Sequence, residues 1–176
     1  MVKWLWAVKG LLLAGALAAT LFAATPANAT VTACVAAVTH FVETHADAYE
    51  RAGAPTIVCA SAPNGNLGGT HNDGAIVIYP ARGIATAEDY YRSVIAHEVG
   101  HAYFRFLGKA RVGAYAVIRG FSTINMDLYE DYAETFALSI GEWRPVGSPA
   151  PFAFQTAAGV PTERQLASLR QWGIAP

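Results

Sequence analysis

The sequence predicts an α+β protein, one small domain in which a short sheet packs on a central helix with a second, glutamate-bearing helix beside it. Three features predict it. Val94–Tyr103 is a helical run whose only polar side chains before Tyr103 are His97, Glu98 and His101. Thr56–Ala60 and Ala75–Pro80 are short β-branched runs bounded by turn residues, hence strands. Met126–Ile140 is a second apolar helix, and it carries Glu130 and Glu134.

Taken from the N-terminus, the chain opens like a secretory signal. Lys3 and Lys9 supply positive charge, Leu11–Ala24 is almost unbroken apolar sequence, and Ala27-Asn28-Ala29 is a small-residue cleavage site. The apolar run is shorter than the roughly 20 residues a membrane span needs. Residues 1–29 are therefore expected to be removed, leaving 30–176 as one secreted, extracellular domain that makes no membrane contact. The whole chain has 12 basic against 13 acidic residues, and losing Lys3 and Lys9 makes it more acidic. With no basic run or stripe, composition argues against a nucleic-acid partner. A monomer is expected.

Cys34 and Cys59 are the only cysteines, and in an exported protein such a pair reads as one disulfide. Val31–Arg51 reads as an amphipathic helix with Val35, Val38, Phe41, Val42 and Tyr49 on its apolar side, ended by Gly53 and Pro55. His40 and His45, five apart, fit no common face and read as rim histidines outside any ligand set. Ser61–Gly74 is turn chemistry with room for a hairpin, and His71 within it reads first as a solvated turn residue. The continuous apolar character of Ala75–Tyr79 suggests a strand covered on nearly both faces, joined by the connector Ala81–Ala85 to the next helix. Thr86-Ala87-Glu88-Asp89 is a helix start, and Gly108 a stop. Lys109–Thr123 reads as loop or short strand. Asn125 caps the helix from Met126, and Gly141 stops it.

The chemistry is concentrated in His97-Glu98-Val99-Gly100-His101. Residues four apart share a helix face, so both imidazoles can reach one cation without bending the backbone. Glu98 is then placed beside that cation as a base, the arrangement of zinc proteases. A catalytic zinc needs a third protein ligand. Glu130 and Glu134 stand four apart among Tyr129, Tyr132, Ala133 and Phe136, where two like charges repel unless a cation lies between them. Zn2+ would satisfy Glu130, and a metal-bound histidine could donate its second N–H to Glu134.

With these residues in place the chain resembles the gluzincin metallopeptidases, the group of thermolysin and the anthrax lethal factor catalytic domain. Glu130-Asp131-Tyr132-Ala133-Glu134 looks most like the lethal-factor version, and the likeness spans Ile76–Ile140. It implies a zincin-like fold, zinc on His97, His101 and Glu130, Glu134 behind a histidine, Glu98 as general base, and a peptide or protein substrate. It also implies a Tyr or His that steadies the oxyanion. Tyr115, Tyr129 and His71 are the candidates, none of them fixed by a motif. An edge strand that pairs with extended substrate would fall in or near Gly74–Tyr79. Residues 102–107 hold no glycine or histidine, which excludes the metzincin branch. A secreted zinc-binding module without turnover, and a hydrolase of cell-wall peptides, are the readings that remain beside a general endopeptidase.

Overall fold

A computed structural model of the chain describes residues 26–60, 68–70, 74–79, 88–142 and 158–176. The expected signal segment, the connector 81–85 and His71 lie outside these residues. Among the described residues no helix is long and apolar enough to cross a membrane. The described residues form six helices and three strands in the order α1 (Pro26–Thr44), α2 (Ala46–Arg51), β1 (Ile57–Cys59), β2 (Gly68–Thr70), β3 (Ile76–Ile78), α3 (Glu88–Phe104), α4 (Lys109–Arg119), α5 (Met126–Ser139) and α6 (Glu163–Gln171). The architecture is α+β, with helices predominating. A cut after Ala29 would remove only the first turn of α1.

The helix expected over Val31–Arg51 is broken at His45, which has non-helical φ −122° and ψ 37°. Its ring reaches Glu142, 97 residues away, at 3.0 Å, and this tertiary bond accounts for the bend. The buried face is also rotated from the expected one. Cys34, Ala37, Phe41 and Ala48 face the core, whereas Val35 is 45% exposed. Cys34 and Cys59 form the expected disulfide, with Cα atoms 6.0 Å apart, and so fasten α1 to β1.

The sheet has the order β1-β3-β2. β1 runs parallel to β3, with Ile57 opposite Ile76 and Cys59 opposite Ile78, while β2 returns antiparallel to β3. The glycine-rich stretch therefore does supply a strand. β3, however, is the central strand rather than an edge, so its backbone is already paired on both sides. Ile76 and Ile78 are buried and Val77 is half-buried, so one face is packed and the other only partly covered.

α3 is the axis of the molecule. From Tyr90 to Phe104 only Arg92 and His101 escape full burial, and the helix is covered by α1, α5 and the sheet. A helix enclosed on all sides has no polar face, which is why its sequence lacks amphipathic patterning. It stops at Phe104, and Gly108 serves as N-cap of α4 rather than as the end of α3. Lys109–Arg119 is helical, neither loop nor strand. Val112, Tyr115, Ala116 and Arg119 recur at helical spacing on its buried side. α5 begins as expected, with the Asn125 side chain accepting from Leu128 N at 3.2 Å. Gly141, at φ +81°, follows its C-cap. α6 carries a capping box between Thr162 and Gln165.

The α1–β1 link closes a loop of 25 residues in sequence separation. Replacing both cysteines by alanine should lower unfolding free energy by about 3 kcal/mol, measured by chemical denaturation.

Candidate metal centre

The site is made by the approach of α3 to α5. A Cβ built on Gly100 would lie 2.9 Å from Ala133 Cα and 3.1 Å from both Ala133 O and Phe136 Cβ. Only a glycine lets the two backbones come this close. The contact continues through Tyr103 on Phe136 and Phe104 on Tyr132, with ring centroids 5.3 and 4.9 Å apart. One turn from Gly100 in either direction, side chains of the two helices are forced into contact.

His97 Nδ1 lies 3.0 Å from Glu134 Oε1. An ionised carboxylate can only accept, so Nδ1–H donates and the ring is locked with Nε2 facing the other way. That Nε2 lies 3.0 Å from His101 Nε2 and 3.2 Å from Glu130 Oε2, and His101 Nε2 is 3.5 Å from Glu130 Oε1. Three donor atoms, all within 4.8 Å of one another, thus converge on one point. The edge of a tetrahedral zinc site with N and O ligands is about 3.3 Å. The observed spacings bracket that value, and the group could hold a metal ion. His97 and Glu134 are buried, while the Glu130 side chain is 36% exposed, which leaves one open side.

The electrostatics are those of a cation site. Burial favours neutral His97, but its hydrogen bonds to Glu130 and Glu134, with the charges of Glu134 and Glu98, outweigh it and raise the pKa to about 9. Glu130 is held far below the usual carboxylate range by its bonds to His101 and His97, against the opposing effect of burial. The cluster is built to surround positive charge, whether carried by a proton or by a metal.

Glu98 follows His97 on α3 and is buried, and its charge is among those acting on that imidazole. The three proposed oxyanion donors fare differently. Tyr115 is fully buried, its hydroxyl donating to Asp131 Oδ2 at 2.5 Å and lying 2.9 Å from Thr135 Oγ1. Burial, then the Asp131 charge, pushes this phenol well above its ordinary pKa. Tyr115 is thus a structural residue of the α4–α5 contact and is withdrawn as an oxyanion donor. Tyr129 is 37% exposed, its ring 4.3 Å from Phe104, in a groove with Leu107, Val112 and Ile124. His71 is not among the described residues.

Sequence reasoning missed the group behind the site. Arg119 on α4 grips Asp131 with Nε and Nη2, both at 2.8 Å, and also donates to the Gly159 carbonyl. Both side chains are inaccessible to solvent. Helical spacing from Val112 through Arg119 was the available signal. His45, expected on the rim, is half-buried and shares Glu142 with Arg92, whose Nη2 lies 3.0 Å from Oε1.

No protein-family model, curated protein or solved structure matches the chain. The likeness to gluzincins therefore rests on the site residues alone.

Gly100→Ala would press a methyl group on the Ala133 backbone, costing about 1–3 kcal/mol of stability and lowering zinc affinity, measured by denaturation and competition with a chelating dye. The His97 pKa of about 9 lies above the ordinary histidine value of 6.5. Metal-free protein should therefore hold this stabilisation fully below pH 6.5 and lose it as pH rises towards 9. Zinc must displace that proton, so apparent zinc affinity should climb over the same interval, as read by calorimetry at stepped pH.

Proposed function

We propose that the chain is a secreted, monomeric, zincin-like zinc metallopeptidase acting on peptide bonds. The observation that carries the reading is the convergence of Glu130, from a second helix, on an imidazole pair that already has Glu98 beside it. A module needing only bound metal has use for His97, His101 and Glu130. It has none for a further buried carboxylate at Glu98. The Cys34–Cys59 disulfide supports an oxidising, extracellular setting.

His97, His101 and Glu130 would hold zinc, which would supply Lewis-acid polarisation of a carbonyl and a lowered pKa for water. Glu134 keeps His97 in one tautomer and orientation. Glu98 accepts the proton of the attacking water and returns it to the leaving amine. With Tyr115 committed to Asp131, the oxyanion donor is to be sought at Tyr129 or His71. The role of pairing with an extended peptide passes from β3 to β2, Gly68–Thr70, an edge strand that packs against α3.

Purified protein should contain about one zinc per chain and cleave members of a peptide library in a chelator-sensitive reaction. Glu98→Gln should keep the zinc and lose about 10²–10⁴-fold in cleavage rate. Zinc-loaded protein that cuts no peptide, or a Glu98→Gln variant of wild-type rate, would contradict the reading.

A further inference from the structure

A second cavity, of about 390 Å³, is lined by Arg51, Tyr103, Phe106, Leu107, Arg111 and Gly173. It lies where the ends of α2, α3 and α6 meet the first turn of α4. Tyr103 follows His101 by two residues, about 200° around a helix, and none of the lining residues is a candidate metal ligand. Its size falls within the range of small-molecule sites.

Its charge is unbalanced. Neither Arg51 nor Arg111 has an acidic partner among the described residues, in a chain whose overall net charge is −1. Arg51 at the end of α2 suits that helix terminus. Arg111 does not suit its own position, since it stands in the first turn of α4, where a cation opposes the helix dipole and the N-cap Gly108 offers no side chain. The Arg111 guanidinium lies along the end of α6, with Nη2 3.7 Å from where a Gly173 Cβ would stand. Tyr103 lines the same cavity, is only 5% exposed, and makes no hydrogen bond through its hydroxyl among the described residues. Phe106 (62% exposed) and buried Leu107 give the cavity an apolar wall.

We propose that this cavity binds a small organic anion whose phosphate or carboxylate group is held by Arg51, Arg111 and the Tyr103 hydroxyl, and whose apolar body rests on Phe106 and Leu107. Two guanidinium forks and a hydroxyl form a donor set matched to an oxyanion. The site is independent of the metal group and of any peptidase activity.

Calorimetric titration of the full chain with inorganic phosphate, phenyl phosphate and benzoate tests the proposal. One organic anion should bind saturably with one site per chain and more tightly than inorganic phosphate. Preference for phenyl phosphate assigns a phosphate group, and preference for benzoate a carboxylate. The Arg51→Met/Arg111→Met double variant should weaken that binding at least about tenfold. Arg111→Lys, which keeps the charge but loses the fork, should fall between, and it replaces the double variant if that fails to fold. Tyr103→Phe should cost about threefold while the ring stays on Phe136. Zinc uptake should be unchanged throughout. No saturable binding below about 10 mM, inorganic phosphate binding as tightly as phenyl phosphate, or wild-type affinity in a folded arginine variant would each overturn it.

Discussion

The near-contact of two backbones at Gly100 and Ala133 is the constraint on which the rest of this structure depends. Helix axes this close leave no room between them for long side chains, so what flanks the contact must meet directly. On one side of it His97 and His101 meet Glu130 and Glu134. On the other, Tyr103 and Phe104 meet Phe136 and Tyr132. The polar group is therefore seated in an apolar contact that fixes its geometry, a firmer support than loops would give.

Placing acids in such a core is costly unless each has a cation. Glu130 and Glu134 are about 40° apart around α5 and both face α3, whereas Asp131 is turned about 100° from Glu130. Three acids within five residues thus divide between two partners. Asp131 is neutralised by Arg119 from α4, leaving the other two to surround His97. In the absence of metal, a raised His97 pKa lets a proton supply the missing charge. The same arrangement makes proton and metal competitors for one nitrogen. A separate acid, Glu142, ties the His45 bend and Arg92 together at the opposite end of α3.

What could be read from the sequence was what local spacing determines. Four-residue intervals placed His97 with His101 and Glu130 with Glu134. Asn125 marked the start of α5, and a lone pair of cysteines read most simply as one disulfide. The unread parts depend on distant partners. Nothing near His45 announces a bend, because its cause is Glu142, far along the chain. Arg119 looks like a surface residue until Asp131 is seen opposite it, and that disguised the buried face of α4. Strand order is likewise non-local: nothing in the sequence of β3 shows that β1 and β2 enclose it. The role of Gly100 was also hidden, since a glycine inside a helix signals close packing only once the facing helix is known. The Thr162–Gln165 capping box, by contrast, is a purely local signal.

The most direct test of the account is a crystal structure of the zinc-soaked protein with anomalous scattering recorded at the zinc edge. One strong peak is expected, about 2.0–2.2 Å from His97 Nε2, His101 Nε2 and a Glu130 carboxylate oxygen, with Glu134 still bonded to His97 Nδ1. A peak bound elsewhere, or one that leaves Glu130 unengaged, would contradict it.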